Sequence, residues 1–406
     1  MKLSKRALLA LFTVLALVAA ACGGDAETET AASADGDSAD AGDSGDSDAG
    51  EATAVRAAFI VPSPIGEAGW NFTHDQGRQA VESATGVETA IAANIPANSE
   101  EFNNAVQNFI DDGFNVIFGA SFEYQFAMAD FAADNPDVRF EHISGFLTNE
   151  TNYGNSFGRI YQARFIAGMA AGAETDSDRI GYVAAFPIPE VIRGINAFSL
   201  GVAETNPDAV VEVVWTADWF DPGLEGNAAQ ALIDNGADVL TMHQDSTATG
   251  QAISDAGGVF IGYHSDMSEL VDAYLTAPVW DWSDRYVSVV QEAIDGNFEP
   301  TLWWGGMADG VVDIEIPSSS PVATEMQDVK DSIIAGDFDV WDQGVIADQG
   351  GNVIIEDGVM QAEILNAFPD DDGNFAVVAS PGDDVSDGVL LNMTFFVENV
   401  EGNPAG

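Results

Sequence analysis

The amino-acid sequence points to an α/β protein built of two doubly wound lobes joined by a hinge, preceded by a leader and an acidic tether. Three observations carry that expectation. Short apolar runs alternate with segments of helical spacing from Arg56 to His264, the pattern of parallel strands covered by helices on both faces. The alternation breaks near residues 160–180 and then restarts, which argues for two sheets rather than one. About 350 residues follow Thr53, enough for two cores, and 46% hydrophobic residues with 24 Phe mark a globular body.

At the N-terminus, Lys2, Lys5 and Arg6 precede an apolar run from Ala7 to Ala21 and then Cys22, the single cysteine of 406 residues. A basic head, an apolar stretch too short to span a bilayer comfortably and small residues at the cut make a secretory signal. A cysteine directly behind three alanines adds a lipidation site, so residues 1–22 read as a lipoprotein signal ending at a diacylglyceryl-modified Cys22. An ordinary cleaved signal with an incidental cysteine is the alternative, yet a secreted chain without a disulfide partner has little other use for it. Residues 23–54 are small, polar and acidic, and cannot bury enough apolar surface to offset their ordering entropy. They read as a disordered spacer that lifts a folded domain off the membrane.

In the first lobe, RAAFIV, NVIFGA and VRFEHI read as buried strands. Helical spacing runs over His74–Thr85, Glu101–Asp112 and Tyr124–Asn135. After a helix at Tyr161–Thr175 the second lobe begins: IGYVAAF, a helix at Pro189–Glu204, VVEVVW, a helix across Ala228–Asn235, ADVLTM, a helix near Thr249–Ala256, and VFIGYH. Ligands of such sheets sit beyond the carboxyl ends of the strands. The residues there are Pro62, Ser121, Phe122, Phe186, Trp215, His243 to Asp245, and His264 to Asp266.

Acidic residues number 67 against 12 basic ones, a net charge of −55. A surface this negative repels nucleic acid and anionic lipid. It suits a protein dissolved at high salt, where screening weakens self-repulsion.

The stretches GWNFTHDQGRQAVE, SFEY, IGYVAAFPIPEVIRGINAFSLG, NPDAVVEVVWTADWFDP and HQDS resemble the BMP family, the basic-membrane-protein-like substrate-binding lipoproteins of ABC importers. The FPIPE motif resembles a branch distinct from the better-known purine nucleoside receptors. The resemblance covers roughly residues 55–345. It implies a type I periplasmic-binding-protein fold of two Rossmann-like lobes, with lobe one over about 55–165 and 275–310 and lobe two over about 166–274 and 311–345. Residues 346–406 form an extension assigned to neither lobe. The implied protein is a monomer without cofactor or metal, tethered to the outer face of the cell membrane through Cys22, with an ABC permease and ATPase as partners.

A planar heteroaromatic ligand needs flat apolar faces and polar groups at its edge. Trp70 and Trp219 fall on positions where nucleoside-binding members sandwich the base, and Phe122 and Phe186 could complete an aromatic box. One such aromatic alone could be core packing; two at loop positions on opposing lobes point to ligand contact. Edge recognition is expected from Asn71, Asp245 and Asp266, with Asp266 matching the position that meets the sugar in nucleoside binders. Asn71 could equally cap the following helix.

Nucleoside-binding members carry a lysine where this chain reads LTAPVWDW, with Trp280, Asp281 and Trp282 in that region. A ribose contact is therefore in doubt, and the ligand order becomes purine base, purine nucleoside, then another small nutrient. A sugar is the closest chemical rival, because tryptophan also stacks on pyranose rings. A receptor presenting its ligand to a membrane sensor needs the same cleft. An enzyme is disfavoured: His74, His142, His243 and His264 lack metal-ligand spacing, and there is no nucleophile elbow or phosphate loop.

Overall fold

The computed structural model describes residues 54–97, 99–368 and 373–406. The expected signal, Cys22 and the acidic tether as far as Thr53 lie outside the described residues. All the secondary-structure elements belong to one unit, Val55–Ala367 with Ala376–Gly406.

The first lobe runs β1 (Arg56–Ile60), α1 (Trp70–Thr85), β2 (Glu88–Ala92), α2 (Glu100–Asp111), β3 (Val116–Ala120), α3 (Gln125–Asp134), β4 (Arg139–Ile143) and β5 (Tyr153–Gly158). Helix α4 (Tyr161–Glu174) leads to β6 (Arg179–Ala184), α5 (Pro189–Thr205), β7 (Val210–Trp215), α6 (Pro222–Asp234), β8 (Val239–His243), α7 (Ala248–Ala256), β9 (Val259–Ile261) and β10 (Tyr274–Thr276). The chain then returns through β11 (Pro278–Trp280), α8 (Ser283–Ile294) and β12 (Leu302–Gly305) before β13 (Val312–Ile314) and α9 (Ala323–Ala335). Small antiparallel pairings come next in β14 (Val345–Ala347), β15 (Val353–Glu356), β16 (Val359–Met360), β17 (Ile364–Leu365) and β18 (Val377–Ala379), then α10 (Asp387–Leu390) and β19 (Val400–Glu401).

Both main sheets are six-stranded and parallel throughout. Their orders are β2-β1-β3-β4-β5-β12 and β19-β7-β6-β8-β9-β10. Each chain path goes outward to β2 or β7, then crosses back to the far side of the first strand, so each lobe has one switch point, between β1 and β3 or between β6 and β8. This is the two-lobed, doubly wound α/β architecture that the sequence predicts. The two sheets are joined by three crossings: into α4, from β10 into β11, and out of β12. Antiparallel pairing of β11 with β13 ties the second crossing to the third. From the extension, β19 adds to the second sheet beside β7.

The central strands β3 and β8 are buried along their whole length, as expected of strands covered on both faces. Helices start where the chain supplies caps. Ser99 accepts from the Phe102 amide to open α2, with Glu100 and Glu101 in its first turn. Asp221 caps α6 ahead of Pro222, and Pro189 stands in the first turn of α5. Helices α4 and α5 pack backbone to backbone. A Cβ built at Gly168 would fall on the Phe198 carbonyl oxygen, and one at Gly201 on that of Phe165.

Two departures from the sequence expectation matter. Helix α1 begins at Trp70 rather than His74, so Trp70 and Asn71 sit on its first turn instead of a loop. Strands β2 and β5 carry no long apolar run: ETAIA is an edge strand, exposed or half-buried along its length, and YGNSFG is buried but interrupts Tyr153 and Phe157 with Gly, Asn and Ser. Neither presents the pattern by which strands are read from sequence.

Candidate functional site

Both switch points open onto one gap of about 390 Å3, its mouth included. Lobe one lines it with Pro62 beyond β1, Trp70 at the start of α1, Ser121 and Phe122 beyond β3, and Ser144 beyond β4. Lobe two adds Glu190 from the first turn of α5 and Trp219 from the β7–α6 loop. His243, Gln244 and Asp245 at the end of β8, and His264 beyond β9, complete the lining.

Trp70 and Trp219 face this shared gap from opposite lobes, each anchored at its indole nitrogen. Trp70 Nε1 donates to the Ala120 carbonyl at 2.8 Å, and the ring meets Trp280 and Trp282 edge-on at 5.8 and 5.9 Å. Those two rings stack on each other at 5.1 Å, so the aromatic pair that replaces the expected lysine region backs Trp70. Trp219 Nε1 donates across the gap to Glu123 Oε1 at 2.8 Å. Glu123 Oε2 in turn accepts from Ser121 Oγ at 2.6 Å.

Three further hydrogen bonds bridge the lobes. The Trp70 amide donates to Asp245 Oδ1 at 3.1 Å, the Gly69 amide to Ser265 Oγ at 3.2 Å, and Ser144 Oγ to Glu190 Oε2 at 2.6 Å. Carboxylates of Glu123, Asp245 and Glu190 accept three of the four bridging bonds, which makes those bonds charge-assisted where the acids are ionised. Ser144 and His264 adopt φ of 76° and 71°, a left-handed backbone that costs a residue with a Cβ about 1–3 kcal/mol and gathers at functional sites.

His264 Nδ1 accepts from Trp280 Nε1 at 3.1 Å, which leaves the proton on Nε2, 3.4 Å from Asp245 Oδ1. Burial first, then His243, Arg164 and His74, hold His264 well below the usual histidine range. Burial likewise pushes the Asp245 carboxyl up to about 7, with Glu225 adding to it against the Trp70 amide. Glu190 rises to about 6, mainly through burial, although Ser144 and Arg193 oppose the rise. His243 is held neutral by burial and by the Arg164 and Arg193 cations.

The remaining expected contacts stand apart from the gap. Phe186 packs behind Trp219 at 5.0 Å and supports that ring. Asn71 is 2% exposed. Its Nδ2 donates to the Pro64 carbonyl at 3.1 Å, so it fastens the loop before α1, while Gly69 holds the N-cap position without a side-chain cap. Asp266 is exposed and its Oδ1 accepts from the Ser268 amide at 2.8 Å, because the turn after His264 swings it outward. The gap brings together Trp70, Phe122, Trp219 and Asp245, and adds Ser144, Glu190, His243, Gln244 and His264. Of these additions, the histidines and Gln244 sat at readable strand ends, and Glu190 ends the FPIPE motif.

Aromatic rings and carboxyl and amide acceptors line the gap, with no Lys or Arg among the described residues there, which suits an uncharged or cationic ligand bearing hydrogen-bond donors. Among the described residues, no group of three or more His, Cys, Asp or Glu is placed to hold a metal. Among the same residues, no helix is long and apolar enough to cross a membrane.

The Bmp family model, described as ABC transporter substrate-binding protein PnrA-like, matches residues 54–350. A Haloferax volcanii protein named for glucose binding in an ABC transporter is 42% identical over 72% of this chain and 75% of its own length. The purine-binding protein BAB2_0673 of Brucella abortus is 33% identical over 86% of this chain and 93% of its own. Among solved structures, an ABC transporter solute-binding protein from Aeropyrum pernix superposes with a TM-score of 0.61 at 14% identity. That superposition covers 70% of this chain and 92% of the other.

Proposed function

The chain belongs to the Bmp family of PnrA-like ABC transporter substrate-binding proteins, and from that membership we propose that it captures a purine base between its two lobes for import. The family is one of substrate-binding proteins of ABC transporters, which implies a place outside the cytoplasm, a small-molecule ligand and permease and ATPase partners. The purine reading goes further and is carried by one observation: Trp70 and Trp219, from opposite lobes, line a single gap with carboxyl and amide acceptors between them. Two indole faces suit a flat heterocycle, and the acceptors suit its N–H edge.

The outward-facing Asp266 favours a base over a nucleoside with its ribose. Capture proceeds through lobe closure. The four bridging hydrogen bonds form only with the lobes together, and a ligand that contacts both lobes adds differential affinity for that state. We further propose that Cys22 carries a lipid anchor at the extracytoplasmic face, that the protein works as a monomer, and that its charge of −55 fits it to high salt.

A monosaccharide is the second reading, favoured by the 42%-identical relative named for glucose binding. Titration calorimetry with adenine, hypoxanthine, guanine, adenosine and glucose separates the two. Binding of a free base more tightly than adenosine, with no glucose heat, is expected. Glucose binding with silence from every purine overturns the proposal.

A further inference from the structure

We propose that Glu190 sets the ligand specificity of this cleft, its Oε1 accepting a hydrogen bond from a donor on the ligand edge while Ser144 of the opposite lobe holds Oε2. This rests on reading the gap as the small-molecule site. Glu190 is placed by the Pro189 start of α5 and lines the gap. Its two oxygens are used unequally. Oε2 accepts from Ser144 Oγ at 2.6 Å, which fixes the rotation of the carboxylate. Oε1 receives no hydrogen bond from a described residue, and His243 Nε2 stands 3.8 Å from it, beyond hydrogen-bond reach.

The neighbouring atoms repeat the asymmetry. Gln244 also lines the gap and spends its Nε2 on Thr216 Oγ1 at 2.7 Å, leaving a buried Oε1 without a donor. His243 Nδ1, on another gap-lining residue, is buried and unpartnered as well. A buried acceptor left unfilled costs about 1–3 kcal/mol, so a ligand that fills Glu190 Oε1 and Gln244 Oε1 together gains where one presenting acceptors there loses. Among the described residues, no Lys or Arg lines the gap, so a phosphate or carboxylate placed against Glu190 and Asp245 would find no cation in direct contact. The ligand class is a neutral heterocycle with an amine or ring N–H at the edge facing lobe two, which excludes nucleotides and organic acids.

Glu190→Gln tests this directly, because it keeps the shape and the acceptor for Ser144 but turns the ligand-facing atom into a donor. Affinities are measured by calorimetry at pH 8, where the Glu190 carboxyl is ionised. The wild-type protein is expected to prefer adenine, whose 6-amino group donates, over hypoxanthine, whose 6-oxo group accepts. In Glu190→Gln the adenine-to-hypoxanthine ratio should move at least tenfold toward hypoxanthine with the thermal midpoint preserved. A ratio unchanged within twofold, while the wild type binds purines, overturns the role of Glu190 and leaves the purine reading intact. If the wild type binds glucose and no purine, the purine reading fails alone. Glu190 is then judged on glucose, where Glu190→Gln must weaken binding at least tenfold or the role is lost. Should Glu190→Gln fail to fold, Glu190→Asp, which draws the acceptor back by one methylene, must weaken the preferred ligand at least tenfold. Binding of none of the three probes by the wild type counts against both readings.

Discussion

Trp219 serves the closed cleft in two separable ways, so two substitutions at this position have different costs. Its ring lines the gap with Phe186 behind it at 5.0 Å, and its Nε1 donates to Glu123 Oε1 in the other lobe at 2.8 Å. Trp219→Phe keeps an aromatic face and deletes the bond. A hydrogen bond to a charged group contributes about 1.5–3 kcal/mol. Both residues are half-buried, so solvent competes and about 1–2 kcal/mol is the better figure. Because the bond exists only with the lobes together, its loss depletes the closed state and raises Kd roughly 5- to 30-fold. Trp219→Ala also removes the ring, adding about 0.5–1.5 kcal/mol of aromatic contact and the apolar area of the face. The expected total is about 2–4 kcal/mol, or roughly 30- to 700-fold in Kd. Calorimetry gives the affinities, and a thermal melt without ligand checks that each variant folds. Pairing Trp219→Phe with Glu123→Ala in a double-mutant cycle isolates the bond, and its coupling energy should match the single Phe effect. A folded Trp219→Ala with Kd within twofold of wild type would remove the ring from the binding site, and a zero coupling energy would dispose of the bridging bond.

Stability should fall as pH rises from 5 to 8. Burial lifts Asp245 from 3.8 to about 7 and Glu225 from 4.5 to about 7, so the folded chain keeps protons that the unfolded chain releases at lower pH. That contribution is complete below the unfolded values and is lost as pH climbs through the folded ones. The groups facing Asp245 are the Trp70 amide, neutral His264 and Glu225, and none supplies a compensating cation. Asp245→Asn, which can still accept from Trp70, should flatten the pH dependence of the melting midpoint; an unaltered slope contradicts the assignment. Gly168→Ala forces a Cβ onto the Phe198 carbonyl and should cost about 1–3 kcal/mol. Gly226→Ala, whose Cβ meets only the Ala248 Cβ at 4.0 Å, is the tolerant control, and equal melting midpoints for the two variants contradict the close packing of α4 on α5. Cys22→Ser should move the secreted protein from the detergent phase to the aqueous phase on Triton X-114 partition; retention in detergent refutes lipidation at that residue.

Local pattern along the chain accounts for the lobes and for the strand ends that line the gap. The largely apolar runs that form β3 and β8 were legible as buried parallel strands, and the break between them as the start of a second lobe. Both tryptophans were singled out by the resemblance to nucleoside-binding members, and the structure sets Trp70 on the first turn of α1 rather than in a loop. Strands β2 and β5 were not legible, because one lies at a sheet edge and the other sets only Tyr153 and Phe157 among Gly, Asn and Ser. Which polar groups meet was settled in three dimensions alone. Ser144 and Glu190 are 46 residues apart, Glu123 and Trp219 are 96 apart, and Trp70 and Asp245 are 175 apart. Such pairs are set by how one lobe docks on the other, and no period in the chain encodes that distance. The same docking leaves Asp266 outside and Glu190 inside, although both stand beside readable elements. Two residues beyond gap-lining His264 are enough to exchange cleft for solvent.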